Sequence, residues 1–188
     1  MSTIQRVSEP RERLLRTASE LFYREGIHSV GVDRLVAEAG VTRATFYRHF
    51  PSKEHLVEAY LESEDAALKH AFAAAAATDA TPRELIAMVI EAIADDVTLR
   101  HTRGCPFINA AAEYPDPASS VRQTVAAHRA WFRGTLETVI TAAGLDRPAE
   151  RAAALVLLRD AAMVGGYLDG AASIRPTFVS TARLVSGL

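Results

Sequence analysis

The feature that most constrains this chain is the run Val32-Asp33-Arg34-Leu35-Val36-Ala37-Glu38-Ala39-Gly40-Val41-Thr42-Arg43-Ala44-Thr45-Phe46-Tyr47-Arg48-His49-Phe50. Leu35, Val36 and Ala39 recur at helical spacing, so a first short helix has one apolar face. Gly40 interrupts it where a left-handed residue can end a helix without a steric penalty. Val41 plugs the turn, and the Thr42 hydroxyl can cap a second helix. In that second helix Phe46 and Phe50 lie four apart and point inward. The opposite face carries Arg43, Thr45, Tyr47, Arg48 and His49, all able to donate hydrogen bonds and none acidic.

A short helix with one dry face and one donor-rich face suits the major groove of DNA. Arginine can bond two acceptors on guanine, a small residue such as Ala44 allows close approach, and hydroxyls bond phosphates. The pattern is a helix-turn-helix with its second helix as reader. Arg43, Ala44, Thr45 and Arg48 are expected to face bases, with Thr42, Tyr47 and His49 on phosphates. The competing reading is a surface helical hairpin with a solvated polar face, and spacing alone does not separate the two.

Charge supports a placed surface rather than general polyanion binding. The net charge of the 188 residues is −2. Residues 1–60 hold nine Arg/Lys against eight Asp/Glu, whereas Arg43 to Lys53 holds three cations and no acid. A local basic patch on a near-neutral protein points to a directed contact with double-stranded DNA. The 49% hydrophobic content allows one domain with a real core beside a small module. One cysteine excludes an internal disulfide framework. No signal-peptide core follows Met1 and no run is apolar enough to span a bilayer, so a cytoplasmic protein without membrane partner is expected.

In chain order, residues 1–8 read as a loose polar lead-in. Glu9 to Glu25 forms a helix with Pro10 in its first turn and Leu14, Leu15, Ala18, Leu21 and Phe22 as its stripe. Gly26 ends it. Pro51-Ser52 closes the reader helix; Ser52 caps the next one, whose first-turn amides and Lys53 can meet a phosphate. That helix runs from Leu56 through the alanine-rich stretch to Ala77 and is the natural lever between the two parts. Thr81 and Glu84 make a capping box with Pro82 at the first helical position. Leu85, Met88, Val89, Ala92, Ile93 and Val97 are expected to be the apolar face of the helix that follows. Arg100 to Gly104 reads as a loop, Cys105 to Tyr114 as a short helix stopped by Pro115-Asp116-Pro117, and Ala118 to Ala143 as a long helix. Pro148 to Gly170 is a very apolar helix, bent at Gly165-Gly166 or open there to the close approach of another backbone. Pro176 is expected to open the last helix. No segment alternates like a strand. The fold class is all-α: a helix-turn-helix domain over residues 1–51, then a larger helical ligand-binding and dimerisation domain over residues 52–188.

From about Glu9 to Tyr60 the chain resembles the amino-terminal domain of the TetR family of bacterial transcriptional repressors. Ala18, Leu21, Phe22, Gly26, Val32, Leu35, Ala39, Gly40, Val41, Thr42, Tyr47, His49, Phe50, Lys53, Leu56 and Val57 carry the match. Gly31 stands where the family usually has Ser or Thr, and Val36 is bulkier than the usual alanine. The resemblance implies three helices with the third in the groove, a phosphate contact from Lys53, and a homodimer through the last two helices reading a palindromic operator. It further implies release of DNA by a small-molecule inducer. The expected function is therefore a ligand-responsive transcriptional regulator, a repressor by family habit.

Candidate ligand contacts combine apolar bulk with sparse polar handles: Met88, Cys105, Phe107, Asn109, Tyr114, His128, Trp131, Phe132 and Tyr167. For each, plain core packing competes with ligand contact. The segment around Gly104-Cys105 also resembles a TetR subgroup with Gly-Cys, two apolar residues and Asn, some of whose members sense electrophiles through that cysteine. A thiolate at a helix start, near Arg100, His101 and Arg103, would be stabilised. A buried, inert Cys105 that shapes the turn is the preferred alternative. An enzyme pairing Cys105 with His101 or His128 shows no orienting carboxylate, phosphate loop or spaced metal ligands in the sequence. A helical protein-binding scaffold is the remaining alternative class. No cofactor, catalytic residue or metal site is implied.

Overall fold

The computed structural model describes residues 8–188 and is helical throughout, with no strand among the described residues. Seven of the eight lead-in positions, residues 1–7, lie outside the described residues. Ser8 itself is the N-cap of α1 (Glu9–Glu25), and its carbonyl accepts from Arg11 and Glu12 amides at 2.9 and 3.1 Å. Then come α2 (Val32–Glu38), α3 (Arg43–His49) and the long α4 (Lys53–Ala76). The larger part holds α5 (Pro82–Asp95), α6 (Pro106–Glu113), α7 (Ser120–Ala142), α8 (Pro148–Gly165) and α9 (Ala171–Ser186). Widened π-helical turns, Asp96–Arg100 and Gly166–Gly170, follow α5 and α8.

The three short helices cannot each bury a face alone, so they share one core. Leu14, Ala18, Leu21 and Phe22 of α1 pack with Ile27, Val30, Leu35, Phe46 and Phe50, and α4 closes the base with Leu56, Val57 and Tyr60, all of them buried. Fully burying an apolar side chain of this size contributes about 1.5–3 kcal/mol, so losing any one loosens the module. Gly40 has φ +62°, the left-handed turn expected from its place. Arg13 donates from Nε to the Ala39 carbonyl at 3.2 Å, and the Arg11 guanidinium sits 5.1 Å from the centre of the Phe50 ring. Both brace α1 against the two ends of the turn motif.

Three expectations for the larger part are corrected. In α5 the buried face is Ile86, Ile90, Ile93 and Ala94, with Val97 after it; Met88 is 43% exposed. Helix α5 packs against α7 and α9, and the side it buries there carries Ile86, Ile90 and Ile93. Arg100 belongs to the widened turn, so the loop starts at His101. Pro176 lies inside α9, which starts at Ala171. The helix break is at Gly170, whose φ of +89° reverses the chain. Gly166 serves the close approach anticipated for the glycine pair, but to a side chain: a Cβ there would lie 2.3 Å from Val97 Cγ1.

Candidate nucleic-acid interface and effector cavity

The reader helix α3 is capped as its sequence suggests. Thr42 Oγ1 accepts from the Thr45 amide at 3.1 Å and lies 3.0 Å from the Thr45 hydroxyl. With Phe46 at 0% and Phe50 at 2% exposure, α3 can turn only one face outward. Arg43, Ala44, Tyr47 and Arg48 are exposed on it, while Thr45 and His49 are half-buried. Tyr47 stands edge-on to Phe46, with ring centres 5.1 Å apart. His49 Nε2 lies 3.2 Å from Ser8 Oγ, joining the end of α3 to the start of α1. Arg43 donates from Nε to Asp33 Oδ1 at 2.6 Å, and that bond holds the Asp33 carboxyl below its usual range. Asp33 thus aims the Arg43 stem across α2.

Lys53 is placed differently from a free cation. Its Nζ donates to the Ile27 carbonyl at 2.5 Å and lies 5.9 Å from the centre of the Phe22 ring. Burial lowers its pKa, with the Glu113 charge opposing. It braces α4 against the α1–α2 turn, and an ammonium has two further hydrogens to offer.

The reader module is latched to the larger part at α6. Tyr23 Oη accepts from the Arg103 amide at 2.7 Å and donates to the Gly104 carbonyl at 3.1 Å; Arg103 Nη1 returns a bond to the Tyr23 carbonyl at 2.8 Å. Gly104 presents that carbonyl at φ +85°. Glu113 closes the other side, Oε1 accepting from the Ile27 amide at 2.8 Å and Oε2 from the His28 amide at 2.6 Å. Asn109 Nδ2 holds the Arg103 carbonyl at 3.2 Å, and Tyr114 packs on the His28 ring. A cleft of about 220 Å³ lies here, lined by Tyr23, Tyr60, Arg103, Asn109, Glu113 and the 54%-exposed Tyr167, among others.

A larger cavity of about 300 Å³ lies between α4, the π-helical turn and α8. Leu68, Ile93, Leu99 and Phe107 form apolar wall; Glu64, Asp95, Asp96, Arg100, His101 and Arg159 are the polar groups that line it. His101 Nδ1 is 2.8 Å from Asp96 Oδ1 and its Nε2 is 3.5 Å from Glu64 Oε2. Burial opposes its charge, but the two carboxylates outweigh burial and push its pKa up to about 9. Of the candidate ligand contacts named from the sequence, Phe107 alone lines this cavity. Behind it the His128 ring stacks on Phe107 at 3.6 Å, with Trp131, Phe132 and Phe72 in the same aromatic cluster. His128 Nδ1 meets Asp65 at 2.7 Å; burial lowers its pKa while that bond opposes.

Cys105 is 1% exposed, and its hydrogen-bonding neighbour is Arg159, with Nη1 at 3.6 Å. Arg103 is turned to Tyr23 instead, so the cation near the thiol comes from α8. Both histidines considered as partners for it have their own carboxylates, which the sequence did not reveal because Asp65 is 63 positions from His128. Among the described residues no cluster of His, Cys, Asp and Glu could hold a metal ion, and no helix is long and apolar enough to cross a membrane. The cavity residues missed were Glu64, Asp96 and Arg159, and His101 was considered only beside Cys105. Arg159 had a signal: it is an arginine on the buried face Leu155–Ala162 of an apolar helix.

A capped reader helix on a three-helix core, under a helical regulatory part with a cavity, defines a helix-turn-helix DNA-binding regulator. Residues 14–60 match the family model for bacterial regulatory proteins of the tetR family, and residues 80–155 match the tetracyclin repressor-like C-terminal domain. The crystal structure of SCO4454, a TetR-family transcriptional regulator from Streptomyces coelicolor, superposes with a TM-score of 0.89 at 42% identity, over 95% of this chain and 94% of that one. A second, sav143 from Streptomyces avermitilis, gives 0.80 at 28% identity, over 95% and 98%. The transcriptional activator FasR of Mycolicibacterium smegmatis is 34% identical over 87 residues; the match spans 46% of this chain and 40% of FasR. The chain belongs to the TetR family and is a transcriptional regulator.

Proposed function

We propose that this regulator is a ligand-responsive repressor that binds a palindromic operator as a homodimer. The observation that carries it is α3, capped at Thr42, locked by Phe46 and Phe50, and turning Arg43, Ala44, Tyr47 and Arg48 to solvent. In this reading Arg43, Ala44, Thr45 and Arg48 face base edges, and Thr42, Tyr47 and His49 contact phosphates. Lys53 adds a phosphate contact from its remaining hydrogens while bracing the turn. The reader covers residues 1–51; residues 52–188 bind effector and pair subunits. Leu157, Val164, Leu168 and Leu184 are 68%, 43%, 70% and 77% exposed, an apolar patch suited to a second copy. One short helix reads too few base pairs for useful specificity, so two readers about one helical turn apart, roughly 34 Å, are needed.

The effector occupies the larger cavity. Its wall residues His101, Pro106 and Phe107 flank the Arg103-Gly104 latch, so a ligand that prefers a shifted loop pulls on Tyr23 and re-aims α1. Its differential affinity for the two states limits that shift. The electrophile-sensor alternative is weaker, because Cys105 has almost no exposed surface for a reagent to reach in this conformation.

Selection from random duplex DNA at near-physiological salt tests the reading. The native protein is expected to enrich a palindrome. Arg43→Ala/Tyr47→Ala is expected to lose at least about 100-fold in affinity, since one bidentate base contact is worth about 1–3 kcal/mol and a phosphate contact adds to it. Binding without sequence preference that only fades with salt overturns it.

A further inference from the structure

The larger cavity carries information about the chemistry of its occupant, an inference that rests on its being the effector site. Arg159 lies in the middle of α8 and is 7% exposed. Its guanidinium is a cation with five donors in a planar fork. Around it are a weak acceptor, Cys105 Sγ at 3.6 Å, and the face of Phe132 at 5.3 Å from the ring centre. Asp160 Oδ1 is 3.6 Å away, but both Asp160 oxygens are hydrogen-bonded to Arg129 at 3.1 and 2.7 Å.

The other charges of the cavity are matched. Glu64 and Asp96 flank His101, and Asp95 pairs with Arg175 at 2.6 Å. Arg100 lies 3.9 Å from Asp96 and is largely exposed. Arg159 is thus a buried cation with no hydrogen-bonded carboxylate among the described residues. Buried charges are stable when paired and hydrogen-bonded, and the planar guanidinium fork fits a carboxylate bidentately. The apolar lining, Leu68, Ile93, Leu99 and Phe107, offers a ligand no donors, and the remaining donors of the cavity, Arg100 and His101, face Asp96 and Glu64.

We infer that the cavity takes a small monocarboxylate with an apolar tail, its carboxylate on Arg159 and its tail against Leu68, Ile93 and Phe107. A cavity of about 300 Å³ holds about ten water-sized groups at about 30 Å³ each, the scale of a medium-chain acid. A second carboxylate on the ligand would lie near Glu64, Asp95 and Asp96, whose cationic partners are already engaged, which disfavours dicarboxylates. A cationic ligand would meet Arg159.

Calorimetric titration of the full-length protein without DNA tests this with octanoate and 4-phenylbutanoate, their amides, and octylamine. At least one carboxylate is expected to bind, its amide at least about tenfold more weakly, and octylamine not at all. Arg159→Gln should weaken carboxylate binding at least about tenfold and leave the amide unchanged, with Arg159→Lys in between. If Arg159→Gln fails to fold, the acid–amide–amine comparison on native protein still decides. Equal binding of acid and amide, preference for the amine, or no binding by either acid overturns the inference. Because no DNA is present, carboxylate binding by a protein that selects no palindrome would sink the repressor reading alone; a palindrome without carboxylate binding would sink this inference alone.

Discussion

At the scale of single residues, the groups that set the behaviour of the larger cavity are charged side chains held out of water. His101 is the clearest case. Its folded pKa is raised from an ordinary 6.5 to about 9 by Asp96 and Glu64 acting against burial. A raised pKa means that its stabilisation is fully present below about pH 6.5 and is lost as pH climbs through 9. The shift corresponds to no more than about 3 kcal/mol. His101→Asn is therefore expected to be less stable than native at pH 6.5, with the difference closing by about pH 9.5. Urea midpoints across that range check it, and a constant difference would show that His101 titrates normally. Neither Asp96 nor Glu64 could have been assigned to His101 from sequence. Glu64 is far along the chain, and the Asp96 side chain reaches His101 only because the turn between them is π-helical.

Among elements, the decisive contact joins α1 to α6. The reader core is local: α1, α2 and α3 lie within about 40 residues, and their apolar spacing specifies their packing. The latch is not local. Glu113 caps amides at Ile27 and His28 from 86 and 85 positions away, and Tyr23 bridges to Arg103 over 80. Bonds to a charged acceptor contribute about 1.5–3 kcal/mol each, less where solvent reaches them. Glu113→Ala is expected to destabilise the α1–α2 turn by about 2 kcal/mol, with faster hydrogen exchange at Ile27 and His28 and unchanged protection within α7. Unchanged exchange at those two amides would mean the latch carries no load. Sequence showed that α6 starts at Cys105-Pro106 and ends before Pro115, since proline punctuates both ends. It did not show which neighbour α6 touches, because a short amphipathic helix can lie against any apolar surface.

For the whole molecule, the exposed leucines of α8 and α9 make the strongest demand. Leu157, Val164 and Leu168 recur at intervals of seven and four, a stripe that the chain's own core leaves uncovered. Leu157→Glu/Leu184→Glu is expected to turn a dimer into a helical monomer in light scattering. Operator affinity should then fall at least about 100-fold, since two linked readers gain about 10²–10⁴ over one. A variant that stays dimeric would place the interface elsewhere.

The sequence by itself determined the helical class, the helix-turn-helix, the Thr42, Ser52 and Thr81 caps, and the inward Phe46 and Phe50. These depend on neighbours within about four residues, where helix geometry leaves few choices. It did not determine which side of α5 is buried, that Pro176 is tolerated inside α9, or that Arg159 lines the larger cavity. Those depend on which surfaces meet after long loops of chain have closed. Helix α5 carries apolar residues on more than one face, and only packing against α7 and α9 selected Ile86, Ile90 and Ile93. The cavity is likewise a product of tertiary structure: its charged residues come from α4, from the end of α5 through the π-helical turn to His101, and from α8, and no local rule brings those segments together.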